Sequence, residues 1–107
     1  DVGDEVLIQF TEIMKSAVRT TDIVARTGGE EFLVIFPKAT LTQALKLAEI
    51  IRAKVEAKPF DKGDIHHKIT ASFGVATALT DGNINATLKQ ADDNLYQAKN
   101  SGRNKVV

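Results

Sequence analysis

Two consecutive carboxylates, Glu30 and Glu31, follow the pair Gly28-Gly29 and precede the apolar run Phe32 to Phe36. Carboxylates fixed on a rigid turn bind hard cations such as Mg²⁺ through oxygen, as such cations are held beside phosphates. The same residues also read as a tight turn whose acids keep the end of a sheet soluble. A second charged constellation lies far along the chain. Lys99 and Arg103 stand four residues apart in Tyr96-Gln97-Ala98-Lys99-Asn100-Ser101-Gly102-Arg103-Asn104. Such cations complement the negative end of a helix, or both reach one anion such as a nucleotide triphosphate. Arg19 and Asp22 form a third pair. It reads either as a solvated turn in which Asp22 caps local N–H groups, or as a guanine-reading pair.

Other candidates carry less. His66 and His67 are adjacent, so in a strand they point to opposite faces and chelate poorly. Asp92 and Asp93 fall within a helical pattern and read as a solvated face, and Ser72 has no His partner nearby to make it a nucleophile. Lys plus Arg balance Asp plus Glu at 14 each, so no net field draws the chain to nucleic acid or anionic lipid. Any anionic ligand must be held by locally placed groups. Low aromatic content weakens a base-stacking reading. The absence of Cys excludes disulfides and thiolate chemistry. No apolar run approaches the roughly 18 residues of a membrane span, and a cytoplasmic location is expected. The chain opens on Asp1 in mid-pattern, which reads as a piece of something longer.

Three amphipathic helices and a few strands must position these groups. Val6, Leu7, Phe10, Ile13, Met14 and Ala17 recur at helical spacing and predict a helix over residues 3–18, with Asp4 suited to its N-terminus. Gly28-Gly29 predicts a hairpin between Ile23–Ala25 and Phe32–Phe36, ending at Pro37. Leu41, Ala44, Leu45, Ala48, Ile51 and Val55 predict a helix over 41–57, with Thr40 as N-cap, Pro59 as stop and Lys46, Glu49, Arg52 and Glu56 facing water. Residues 61–64 read as a turn, and residues 68–78 as a strand of alternating character. A third helix spans 83–99, with Ile84, Leu88, Ala91, Leu95 and Ala98 on one face and Gly102 as its C′ residue. Lys105 to Val107 can add a short strand. The whole is one α+β domain over 1–107, in which three long helices have only four candidate strands to cover.

Taken together, these motifs resemble the GGDEF domain of diguanylate cyclases, nearly end to end. Gly3-Asp4-Glu5-Val6-Leu7 is similar to the family's GDxxL element, and Arg19-Thr20-Thr21-Asp22 to its RxxD element. Gly28-Gly29-Glu30-Glu31-Phe32 resembles the signature in its GGEEF variant. Thr70 to Ala76 is similar to the SxGVA strand, and Ala91-Asp92 through Leu95-Tyr96-Gln97-Ala98-Lys99 to Gly102-Arg103-Asn104 to ADxALYxAKxxGRN. The resemblance implies a nucleotidyl-cyclase-like, ferredoxin-like palm sheet with helices packed on it.

It further implies synthesis of cyclic di-GMP from two GTP, with release of pyrophosphate, in a homodimer. Glu30 and Glu31 would be catalytic and bind Mg²⁺ or Mn²⁺, and Gly28 and Gly29 would let the backbone approach the nucleotide. Lys99 and Arg103 would hold the terminal phosphates. Asp4 would read the guanine edge, favouring GTP over ATP, and Arg19 and Asp22 would form an inhibitory product site. A receptor that binds cyclic di-GMP without turnover is the alternative. The family's first strand and helix, with an Asp metal ligand and a guanine-contacting Asn, have no counterpart in these residues. The 107 residues alone are therefore expected to be a weak or inactive cyclase.

Overall fold

A computed structural model of the chain describes residues 2–28, 31–62, 65–67, 69–78 and 83–107; within these, the side chains of 2–4, 26–28, 60–62 and 65–67 are not described. Among the described residues the order is α1 (Val2–Ala17), β1 (Ile23–Gly28), β2 (Glu31–Ile35), α2 (Leu41–Ala57), β3 (Phe60–Lys62), β4 (Ile65–His67) and α3 (Ile84–Asn100). This is the expected α+β layout.

The core lies between α1 and α2. Met14, Ile51 and Val55 are each at most 1% exposed, and Val6, Phe10, Ile13, Ala17 and Val18 pack around them. Burying a side chain of this size contributes about 1.5–3 kcal/mol. The β1–β2 hairpin lays Val24, Phe32 and Val34 on this core, with the Phe10 and Phe32 rings 5.3 Å apart between centroids. Successive strand residues face opposite ways, so the directly opposed Ile23 and Ile35 stay 53% and 44% exposed. The turn of α2 is set by a reciprocal capping box: Gln43 N–H donates to Thr40 Oγ1 (3.1 Å) and Thr40 N–H donates to Gln43 Oε1 (2.9 Å).

Several expectations are corrected. The hairpin is longer than the apolar runs suggested. Gly28 already stands in β1 opposite Glu31, which opens β2, and the register slips by a bulge between Arg26 and Gly28. Asp61 and Lys62, read as part of a turn, instead belong to β3, which pairs antiparallel with β4, Asp61 opposite His66; residues 63 and 64 lie outside the described residues. Three-residue strands are too short to show alternation, which hid them. Residues 69–78 make no regular ladder. Phe73 forms one parallel bridge with Val106, supported by Phe73 N–H to Lys105 O (2.9 Å), Val107 N–H to Phe73 O (2.9 Å) and Val75 N–H to Val107 O (2.8 Å). The apolar stripes also overshoot the cover available: Leu41, Ile84 and Leu88 are 44%, 62% and 40% exposed.

Arg52 does not face water as its helical position suggested. Its side chain is only 16% exposed. Nε donates to both Glu49 oxygens at 2.9 Å, and Nη1 reaches Asn104 Oδ1 (2.9 Å) and Glu56 Oε2 (3.4 Å). The guanidinium's hydrogen bond holds the Glu49 carboxyl below the usual carboxylate range.

Candidate functional site

Helix α3 is capped by Asn83, whose side chain accepts from Ala86 N–H (3.1 Å). It is seated on the extended segment at Gly74. A Cβ there would lie 2.0 Å from Ala91 O and 2.3 Å from Leu95 N, so only glycine permits this approach of backbone to helix. Asn94 Nδ2 adds a hydrogen bond to Val75 O at 2.7 Å. Seated this way, one face of α3 carries Asp92, Leu95, Tyr96 and Lys99, whose spacing of three, four and seven places them in line.

These four residues and Glu31, the first residue of β2, line one open cavity of about 230 Å³. Its lining combines two carboxylates, an ammonium and the exposed ring of Tyr96. Asp92 and Lys99 make no hydrogen bond or ion pair among the described residues, whereas the neighbouring Asp93 is tied to Lys89 at 3.0 Å on the solvent side. The acidic hairpin and the cationic helix end, 68 residues apart between Glu31 and Lys99, thus reach one concavity. Glu30 and Gly29 lie outside the described residues, Asp4 is placed within α1 with its side chain outside them, and Gly28 stands in β1.

Arg103 does not line this cavity; it follows the end of α3. Ser101 is the C-cap, Gly102 takes φ 118° as expected for C′, and Arg103 N–H donates to Ala98 O at 2.9 Å in a Schellman pattern. Arg103 and Asn104 continue at φ 61° and 49°. Left-handed backbone costs a non-glycine residue about 1–2 kcal/mol, so other contacts must offset it. Asn104 N–H donates to Ser72 Oγ (3.0 Å), its Oδ1 accepts from Arg52, and its Nδ2 donates to the Glu56 carboxylate. Ser72 is therefore a structural acceptor.

Arg19 and Asp22 close on each other. Asp22 accepts Arg19 Nε (3.0 Å), Nη2 (2.8 Å) and the Arg19 backbone N–H (2.7 Å), while Nη2 also donates to Pro37 O at 3.0 Å. The Asp22 side chain has no exposed surface and that of Arg19 is 44% exposed. The arginine's hydrogen bonds push the Asp22 carboxyl below its ordinary range. This arrangement matches the capped turn, and Asp22 has no edge open to a base.

Sequence reasoning missed Asp92, Leu95 and Tyr96 as companions of Lys99. Their common face with Lys99 was the available signal. Among the described residues no group of three or more acidic, His or Cys side chains converges on a metal position, and no helix is long and apolar enough to cross a membrane.

Comparison with known proteins agrees with the motifs. The family model described as "Diguanylate cyclase, GGDEF domain" matches residues 1–105. The response regulator PleD of Caulobacter vibrioides is 46% identical over 110 residues, covering 100% of this chain and 24% of that protein. Diguanylate cyclase DgcM of Escherichia coli is 44% identical over 98% of this chain and 25% of its own length. The chain thus spans about a quarter of the curated relatives it matches. Among solved structures, diguanylate cyclase SiaD of Pseudomonas aeruginosa, in complex with its activator SiaC, superposes with a TM-score of 0.91 at 36% identity, over 98% of this chain and 40% of that one. The GGDEF domain of DgcB from Caulobacter crescentus, in complex with c-di-GMP, gives 0.92 at 29% identity, over 98% and 63%. Fold, motif order and these relatives agree: the chain belongs to the diguanylate cyclase family and is a GGDEF domain.

Proposed function

We propose that this domain condenses two GTP into cyclic di-GMP as a homodimer, each protomer presenting one nucleotide to the other. The single observation that carries the reading is the cavity shared by Glu31 and Lys99. Lys99, with no competing partner among the described residues, meets the terminal phosphates together with Arg103. Asp4 accepts the guanine N–H groups. Gly28 and Gly29 admit the nucleotide to the backbone. Glu30 takes the proton of the 3′-hydroxyl, whose oxygen then bonds to the partner GTP's α-phosphorus; the α–β phosphoanhydride bond breaks and its electrons leave with pyrophosphate. Two such transfers close the ring.

The donor set suits Mg²⁺ or Mn²⁺: the hairpin supplies carboxylate oxygens, and the open cavity leaves room for water and phosphate ligands. Glu30 and Glu31 would hold the ion, which when bound neutralises the charge gathering on the phosphates.

Product control at Arg19 takes a modified form. Nε and Nη2 are committed to Asp22 and Pro37, which leaves Nη1 without a hydrogen bond among the described residues. Cyclic di-GMP would meet that outer edge, with Asp22 orienting the guanidinium. A receptor without turnover is separated from the cyclase by measuring product formation and cyclic di-GMP affinity on one sample. Pyrophosphate and cyclic di-GMP in a 2:1 ratio support the cyclase; binding with no product overturns it.

A further inference from the structure

The turn after α3 holds an arginine in an orientation that the local chain disfavours. Gly102, Arg103 and Asn104 are three consecutive residues at positive φ, of 118°, 61° and 49°. Relaxing Arg103 to an ordinary φ would swing its Cα–Cβ bond and carry the guanidinium elsewhere. Two anchors prevent that. On the near side, Arg103 N–H is tied to Ala98 O. On the far side Asn104 commits its backbone N–H and both polar atoms of its side-chain amide to tertiary contacts: N–H to Ser72, Oδ1 to Arg52 and Nδ2 to Glu56. These partners sit on the extended segment and on α2, 32 to 52 residues away. The Arg103 guanidinium, by contrast, has no partner among the described residues and is exposed.

We propose that Asn104 is the positioning residue for Arg103: its anchored amide fixes the left-handed turn that aims the guanidinium at a triphosphate. The inference rests on the reading of Arg103 as a holder of terminal phosphates. Asn104 touches no nucleotide. The fold does not depend on it alone, because the tail keeps its own backbone bonds between Phe73, Val75, Lys105 and Val107.

The test uses the intact protein with Mg²⁺ and a GTP analogue whose α–β bridging oxygen is a methylene, so that no turnover occurs. GMP, which lacks the terminal phosphates, is the control ligand, and calorimetry reads both affinities. Asn104→Gly keeps the backbone free to adopt positive φ and removes only the side-chain anchors to Arg52 and Glu56. Analogue affinity is expected to fall about tenfold with GMP affinity unchanged, and the loss should be nearly absent in an Arg103→Ala background. Ser72→Ala removes one anchor, should shift analogue affinity the same way by less, and carries the test if Asn104→Gly does not fold. Equal losses for analogue and GMP would make Asn104 merely structural and overturn the proposal. Unchanged analogue affinity in Asn104→Gly, where Arg103→Ala weakens it, overturns the positioning role and leaves the phosphate role standing. No effect of Arg103→Ala removes both.

Discussion

Two sets of charged side chains among the described residues contrast. In one, the charges are closed on each other: Arg19 with Asp22, and Arg52 with Glu49, Glu56 and Asn104. In the other, at the end and inner face of α3, Asp92, Lys99 and Arg103 stand without partners among the described residues, two of them beside Glu31 around one cavity. The first group spends its hydrogen-bonding capacity on holding loops and helices in place. The second leaves that capacity open, as the proposed triphosphate site requires. Arg52 and Arg103 illustrate the division: the first fixes Asn104, and Asn104 in turn sets the backbone of the second.

The largest expected effect breaks the open side. Lys99→Ala should lower kcat/KM for GTP about a hundredfold, the scale of losing charge-assisted contacts to a phosphate. The melting temperature should move by no more than about 2 °C, since no hydrogen bond or ion pair among the described residues is lost. A large drop in melting temperature with little kinetic change would put Lys99 in the closed group.

The closed side should behave in the opposite way. Arg52→Ala leaves Asn104 Oδ1 and the Glu49 carboxylate without their donor and removes one of the two donors to Glu56, and should cost about 1–2 kcal/mol in urea unfolding. Any kinetic loss should fall on KM for GTP through Arg103 rather than on chemistry.

How far the sequence foretold this division varies along the chain. Helix α2 was legible from Thr40 to Ala57, because N-cap residue, apolar stripe and stop signal agree. Helix α1 and the Schellman turn at Gly102 were legible for the same reason. The cover over Ile84 and Leu88 was not, because periodicity states which face is apolar and says nothing of whether a neighbour arrives. For the site, motif order picked out Glu31 and Lys99. Only tertiary placement separates Asp92, on the cavity, from Asp93, on solvent, because adjacent helical residues look alike until the packing face is known. Arg19 and Asp22 show the converse: the motif marks two charged groups, and only the geometry reveals that they neutralise each other.

The Arg19–Asp22 pair gives a pH signature. Because the folded-state carboxyl lies below its ordinary value, its stabilising contribution is fully present above the unfolded-state pKa of about 4 and disappears as pH falls through the folded value. Wild type should therefore lose urea resistance on acidification below about pH 4 more steeply than Asp22→Asn. Parallel curves would mean that the pair adds no pH-dependent stability. Glu49 acts with the same sign, so the difference between the two proteins is the quantity to read.

The smallest effect sharpens the contrast between adjacent aspartates. Asp93→Ala breaks only an exposed pair with Lys89 and should change stability by less than about 0.5 kcal/mol, with unchanged GTP kinetics. Asp92→Ala should instead alter KM for GTP, because its carboxylate lies on the cavity.

Whether hairpin and helix serve one triphosphate is tested most directly by a double-mutant cycle. Affinity for the methylene GTP analogue with Mg²⁺ is measured in the intact protein for wild type, Glu31→Gln, Lys99→Ala and the double variant. A shared ligand predicts that the two losses fail to add, with a coupling of about 1 kcal/mol or more. Losses that add within about 0.3 kcal/mol would mean that the two residues act at separate places, contradicting the account.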